Sequence, residues 1–249
     1  MKCLILAAGY ATRLYPLTEN YPKPLLEIGG KTILDRLIED IDSAGAVDEY
    51  VVVTNHRFVR IFDEWAKTYQ QKVTVVDDGT TSNETRLGAV RDIQFAIERL
   101  GLEDDLLVVA GDNVLDFSLT RFIEFALEKG TSCVMHYREA DVKRLKRSCA
   151  CEIGANGRLI SLEEKPVNPK TEWCTPPFYY YTRADAAKIR EAIAGGCGTD
   201  APGSLAAWMC EHSVVYSMEM PGKRYDIGDQ ESYERVRREY RGIAGATEK

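Results

Sequence analysis

The sequence is poor in histidine and has no long apolar run. Three histidines, His56, His136 and His212, stand far apart, which leaves no imidazole pair at the spacing of a zinc site. Seven cysteines are scattered at positions 3, 133, 149, 151, 174, 197 and 210. Cys149 and Cys151 have no second Cys or His pair at zinc-ribbon spacing, so a structural zinc is not expected. If residues 149–153 form a strand, these two thiols point to one face and should be buried. No stretch approaches the ~18 apolar residues of a membrane span, and the opening apolar run leads directly into Thr12 and Arg13, unlike a signal peptide. The expectation is a cytoplasmic protein without a membrane partner. Basic residues are outnumbered, 32 Lys and Arg against 39 Asp and Glu, for a net charge of −7. That balance argues against coating nucleic acid while allowing a locally positive pocket. Internal repeats and low-complexity tracts are also absent.

What the chain does have is alternation. At 249 residues, 45% of them hydrophobic, it is long enough for one large α/β domain. Apolar, β-branched runs at 3–7, 50–54, 73–76 and 106–110 read as strands, and 33–44, 59–69 and 89–100 carry apolar residues at helical spacing. Strand–helix alternation predicts a doubly wound, mostly parallel sheet covered on both faces, with ligands beyond the carboxyl ends of the strands. The second half differs: 132–137, 150–153, 159–163 and 178–182 read as short strands, with a hairpin turn at 155–158 by the Asn-Gly rule. Helices are expected at 184–194, 203–212 and 230–240, a strand at 214–218, and a frayed tail over 242–249.

The most informative stretch is the N-terminal one. An apolar run from Lys2 to Ala8 is followed by Gly9-Tyr10-Ala11-Thr12-Arg13-Leu14 and then by Tyr21-Pro22-Lys23-Pro24-Leu25-Leu26. It describes a buried strand, a turn of small residues, and one Arg and one Lys delivered by a constrained loop. Small residues let backbone N–H groups approach a phosphate chain, and the two cations neutralise it, so the expected ligand is a nucleoside triphosphate. Each proline biases the residue before it toward extended backbone, so Lys23 before Pro24, and likewise Lys165 before Pro166, is expected to be held extended. Asp112 follows the apolar run 106–110 and Gly111, at the carboxyl end of a buried strand. Asp229 reads as the N-cap of the last helix, with Ser232 in its first turn, leaving Asp226 free for other work.

Leu6-Ala7-Ala8-Gly9-x-x-Thr12-Arg13-Leu14 followed by Pro22-Lys23-Pro24 resembles the signature of the sugar-1-phosphate nucleotidyltransferases, the family that includes glucose-1-phosphate thymidylyltransferase and its uridylyl relatives. In that family the position of Ala11 is usually Gly. The resemblance implies a Rossmann-like core with a small mixed-strand insertion for substrate, organised as one domain over 1–249. Its nucleotide-binding half would span about 1–130 and its acceptor-binding half about 131–225, with a metal Asp and the closing helix after them. Some relatives carry a C-terminal β-helix, for which the chain is too short, so the transferase core alone is expected. The implied reaction is Mg²⁺-dependent transfer of a nucleotidyl group from dTTP, UTP or CTP to a sugar-1-phosphate, giving an NDP-sugar and pyrophosphate.

Residue by residue, the resemblance assigns Leu6, Ala7, Ala8, Gly9 and Thr12 to the nucleotide and Arg13 to its β- and γ-phosphates. Lys23 goes to the α-phosphate, and Asp112 and Asp226 to Mg²⁺. Glu164 and Lys165, in Ser161-Leu162-Glu163-Glu164-Lys165-Pro166, go to the hydroxyls and phosphate of the acceptor. Asn83 and the backbone near Gly88 are candidates for reading the base, with Arg86 beside them, although the family's usual Gln and Pro are missing there. The acceptor region departs too, with Ser148-Cys149-Ala150 and Thr175-Pro176-Pro177 where glucose-type relatives place glycines, and the aromatics Phe178 to Tyr181 beside them. A cytidylyltransferase acting on a non-sugar phosphate such as phosphocholine, and a non-catalytic nucleotide-sensing paralogue, are therefore carried as alternatives. A metal-dependent glycosyltransferase fits less well, because Gly111-Asp112-Asn113 lacks the second acid of an Asp-x-Asp pair. Partners beyond the two substrates are limited to a second copy, since dimers are the commonest default.

Overall fold

A computed structural model of the chain describes residues 1–243; most of the tail expected to fray, 244–249, lies outside the described residues. In chain order the strands are β1 (Lys2–Leu6), β2 (Glu27–Ile28), β3 (Lys31–Thr32), β4 (Glu49–Thr54), β5 (Val73–Asp77), β6 (Leu106–Ala110), β7 (Val114–Leu115), β8 (Ser132–Arg138), β9 (Cys149–Ile153), β10 (Leu159–Glu164), β11 (Trp173–Thr175), β12 (Phe178–Tyr181), β13 (Val215–Glu219) and β14 (Arg224–Tyr225). The helices are α1 (Ile33–Asp42), α2 (Val59–Ala66), α3 (Ala89–Leu100), α4 (Thr120–Lys129), α5 (Val142–Leu145), α6 (Arg183–Ala186), α7 (Ile189–Ala194), α8 (Pro202–His212) and α9 (Gln230–Glu239). The class is α/β, as the alternation predicts, and the large sheet is mixed, with antiparallel pairings through the strands of the second half. Among the described residues no helix is long and apolar enough to cross a membrane.

Local sequence explains most boundaries. Thr32 and Asp35 form a capping box that starts α1, and Leu34, Leu37, Ile38 and Ile41 make its buried stripe. Gly101, at φ 61°, ends α3 in the left-handed conformation that glycine adopts most easily. Asp229 accepts from Ser232 N and, with the Ser232 hydroxyl, closes the box that starts α9.

The chain divides into two compact units. The first comprises Met1–Leu4, Leu87–Val109 and Phe122–Met220. Its strands run in the order β10-β9-β11-β8-β12-β6-β1, with β13 parallel beside β8. The strands of the second half of the sequence are thus mainly antiparallel, and Phe178, Tyr179, Tyr180 and Tyr181 of β12 are all buried between β6 and β8. Cys149 and Cys151 are buried on β9, and all seven thiols are free.

The second unit comprises Ile5–Arg86, Ala110–Arg121 and Pro221–Lys249. Here the end of β1 neighbours β4, which pairs in parallel with β5. A separate apolar cluster of Leu14, Leu26, Ile28, Ile33, Val114, Ile227, Tyr233 and Val236 joins α1, α9 and the loop after β1. Each such side chain contributes about 1.5–3 kcal/mol by leaving water, and Tyr233 adds a bond from its hydroxyl to Glu27 O at 2.9 Å.

Three expectations need correction. The helix expected over 184–194 is broken into α6 and α7, and Lys188 at the break donates to Asp185 Oδ1 and Ser213 Oγ, both at 2.8 Å. The hairpin joining β9 to β10 is present, but Asn156 is not left-handed. Gly157 alone takes positive φ, at 79°, closing a turn in which its N–H bonds Gly154 O at 2.9 Å, the three-residue form with a left-handed last position. Neither pre-proline lysine is extended. Lys23 opens a 3-10 turn over Lys23–Leu25, and Lys165 has φ 50°. For Lys23, bonds from Leu25 N to Pro22 O and from Leu26 N to Lys23 O, both 3.0 Å, outweigh the pre-proline bias. For Lys165, its own N–H is drawn to Ser148 O at 2.9 Å.

Candidate functional site

In the second unit the turn after β1 is tied down on three sides. Ala7 N donates to Val53 O at 2.8 Å, Gly111 N donates to Leu6 O at 2.9 Å, and Asn55 Nδ2 donates to Ala8 O at 3.0 Å. A Cβ at Gly9 would meet nothing within 4 Å, so the protein's own packing does not demand a small residue there. Gly111 is different, because a Cβ would come within 2.9 Å of Ile5 Cγ2 and 3.3 Å of Leu6 O. Ala11 stands at φ 46°, ψ 41°, the left-handed region that costs an L-residue with a side chain. Its carbonyl is fixed by Leu14 N at 2.9 Å and Thr18 Oγ1 at 2.8 Å. Thr12 and Arg13 follow on a 3-10 turn that buries Leu14 and leaves both of them exposed. The Arg13 guanidinium lies beside Gly228, close enough to Asp229 to help hold that carboxyl below its usual range, behind the larger effect of the Ser232 bonds.

Lys23 and Asp112 meet in this unit. Lys23 is 8% exposed, and its Nζ lies 2.6 Å from Asp112 Oδ2. A lysine this deeply placed needs a partner, and a carboxylate at the end of β6 supplies it. Burial works to raise the Asp112 carboxyl, but the Lys23 ammonium, with Arg224 behind it, wins and holds it low. Asn113 is buried and anchored through Nδ2 to Ala110 O at 2.7 Å. Its Oδ1 accepts from Arg224 Nη1 at 3.2 Å. Asp226 follows β14, is exposed, and has no hydrogen bond or ion pair among the described residues. Neither Arg224 nor Asn113 carries a role in the sequence reading; a two-residue strand is too short for periodicity to reveal. Among the described residues no group of three or more His, Cys, Asp or Glu is arranged to enclose a metal.

Glu164 and Lys165 lie in the first unit, at and after the end of β10. Lys165 Nζ is 3.7 Å from Asp200 Oδ2, and the two side chains are 53% and 60% exposed. Glu164 faces the first turn of α8, where a Cβ on Gly203 would overlap its Oε2 and press on Cys149. Burial pushes the Glu164 carboxyl up, opposed by Lys165 and the Cys149 thiol and reinforced by Asp200. Gly88, at φ 92°, packs so tightly on the same segment that a Cβ would come within 2.5 Å of Thr199 O. The first amides of α3 bond there too, Ala89 N to Asp200 O and Val90 N to Thr199 O, both 3.1 Å. Asn83 belongs to the second unit, and its carbonyl accepts from Arg86 Nη1 at 3.0 Å. The aromatics of β12 are buried in the sheet, with Tyr180 OH bonded to Asp105 Oδ2 at 2.7 Å.

A family model described as nucleotidyl transferase matches residues 2–242. The bifunctional protein GlmU of Methanocaldococcus jannaschii is 27% identical over 193 residues, covering 78% of this chain and 42% of that protein. The UTP–glucose-1-phosphate uridylyltransferase AglF of Haloferax volcanii is 26% identical over 184 residues, covering 74% of this chain and 73% of that one. The chain thus spans under half the length of the first relative and about three quarters of the second. Among solved structures, a Bacillus anthracis protein described as a candidate glucose-1-phosphate thymidylyltransferase, in complex with a sucrose, superposes with a TM-score of 0.81. It is 22% identical, and the match covers 99% of this chain and 98% of the other. At that identity the likeness is one of fold.

Proposed function

Because the chain belongs to the nucleotidyl transferase family of enzymes, we propose that it transfers a nucleotidyl group from a nucleoside triphosphate to a sugar-1-phosphate. A phosphate oxygen of the acceptor attacks the α-phosphorus. The bond from that phosphorus to the bridging oxygen breaks, and pyrophosphate leaves with the electron pair. The observation that carries this reading is the Lys23–Asp112 pair, a buried ammonium 2.6 Å from a carboxylate at the end of a buried strand.

In this reading the backbone from Leu6 through Ala7, Ala8 and Gly9 to Thr12 lies along the nucleotide. The open space at Gly9 is where it approaches most closely. Arg13 neutralises the β- and γ-phosphates. Lys23 transfers its hydrogen bond from Asp112 to an α-phosphate oxygen as charge gathers there, a preorganised donor of the kind worth most in a dry site. Asp112 keeps one oxygen that Lys23 does not hold and Asp226 is unpartnered among the described residues, so these two hard carboxylates would hold Mg²⁺. When bound, Mg²⁺ supplies neutralisation of phosphate charge. Asn83 and Gly88 are assigned to the base, which leaves dTTP, UTP and CTP as donors, and Glu164 and Lys165 to the acceptor. AglF is named for UTP and glucose-1-phosphate, which puts that pair first in a test.

The test is pyrophosphate release with Mg²⁺, crossing five nucleoside triphosphates against glucose-1-phosphate, other sugar-1-phosphates and phosphocholine. Release that requires one triphosphate and one sugar-1-phosphate, and is lost in Asp112→Ala, supports the reading. Release with phosphocholine alone replaces the acceptor class. Silence with intact triphosphate binding replaces the enzyme with a nucleotide sensor.

A further inference from the structure

Arg224 lies on β14, which pairs antiparallel with β7 in the register Arg224 to Leu115 and Tyr225 to Val114. Tyr225 packs against the cluster that contains Leu14, Ile28, Val114 and Ile227. Alternation along the strand therefore turns Arg224 to the opposite side. Arg224 is partly buried and, among the described residues, makes one hydrogen bond, through Nη1 to Asn113 Oδ1 at 3.2 Å. Among the described residues no carboxylate lies within ion-pair distance of it, although its charge helps hold the Asp112 carboxyl low behind the larger effect of Lys23. An arginine serving only charge balance would sit on a carboxylate. This one is steadied by a neutral amide, itself anchored in the core, with the rest of its planar fork unused. That is the arrangement of an anion receptor, since guanidinium donors match two oxygens of a phosphate at once.

We propose that Arg224 is a third phosphate-binding cation of the second unit, beyond Arg13 and Lys23, and that the anion it takes is the phosphomonoester of the acceptor. The identity of that phosphate rests on the reaction proposed above; capture of an anion by Arg224 does not.

The experiment is calorimetric titration of inorganic phosphate into the wild type, Arg224→Gln, Arg224→Lys and Asn113→Ala, with a melting curve for each. Gln keeps a donor for Asn113 while losing the charge. Arg224→Gln is expected to weaken phosphate about tenfold or more, Arg224→Lys less, and Asn113→Ala least; the two Arg224 variants should melt close to wild type, and Asn113→Ala, which removes the donor to Ala110 O, lower. In the turnover assay, KM for the acceptor should rise by a similar factor in Arg224→Gln while KM for the triphosphate moves less than twofold. Equal phosphate affinity in wild type and Arg224→Gln, no phosphate binding by the wild type, or a rise in triphosphate KM instead would each overturn the proposal. A wild type silent in every assay but binding phosphate through Arg224 overturns the reaction and leaves the anion site standing.

Discussion

Lys23 and Lys165 both precede proline, yet one is buried on a 3-10 turn 2.6 Å from its carboxylate, and the other is left-handed and half-exposed, 3.7 Å from its own. The first belongs to a unit whose turn is pinned by Ala7 N donating to Val53 O, Gly111 N donating to Leu6 O and the Asn55 side chain donating to Ala8 O. The second hangs from a strand end by one backbone bond and a solvent-screened ion pair, worth well under ~1 kcal/mol. A cation that meets a transition state gains from being fixed before the substrate arrives. One that meets a variable acceptor loses little by being adjustable, and is easier to retune. On the roles proposed above, the contrast sets a rigid region for the chemistry against an adaptable one for recognition within one chain.

The largest expected effect tests the rigid side. Lys23→Ala should lower turnover by about 10²–10³, the loss typical of one preorganised donor, with little change in triphosphate KM. A loss in KM alone, measured by initial rates of pyrophosphate release, would move Lys23 from transition-state stabilisation to simple binding and dissolve the comparison. On the adaptable side, Lys165→Ala should raise acceptor KM about tenfold and leave turnover at saturation within a few fold. A loss of turnover as large as that of Lys23→Ala would make both lysines chemical.

The two regions were also unequally legible in the sequence. β4, β6 and α3 follow from β-branched runs and helical spacing, and Lys23 and Asp112 each stand out, one by its motif and the other by its strand end, but their 2.6 Å contact does not. What stayed hidden depended on contacts between distant segments or on turns a few residues long. Gly203 looks like any glycine at a helix start until Glu164, 39 positions earlier in the numbering, is seen to fill its missing side chain. Asp200 means nothing until its carboxylate reaches Lys165 and its carbonyl reaches Ala89. Arg224 was invisible because β14 has two residues, and both pre-proline lysines defied a local rule because their hydrogen bonds were stronger than a steric bias.

A smaller effect sharpens the rigid side. Ala11 holds a left-handed conformation where the resembled family has Gly, so Ala11→Gly should stabilise the protein by about 1 kcal/mol, less the entropy glycine regains on unfolding. In a chain of this size that is a shift of roughly 2–4 °C in melting temperature. Turnover should stay within twofold, because Thr18 and Leu14 still hold the carbonyl. A fall in melting temperature would mean that the turn's stiffness matters more than its strain.

The smallest effect belongs to Glu164. Burial raises its carboxyl in the folded state above the ordinary value near ~4.3, so ionising it opposes folding. The stability tied to the protonated form is complete below the unfolded value, is lost as pH rises toward the folded one, and changes no further above it. Urea midpoints of wild type and Glu164→Gln between pH 4 and 8 should therefore diverge with rising pH, with the Gln variant gaining, and then run parallel. If the wild type gains instead, the first turn of α8 and Lys165 stabilise the carboxylate by more than burial costs it. Glu164 would then be prepaid for an acceptor in the way Lys23 is for a phosphate, and the adaptable region would hold one rigid element.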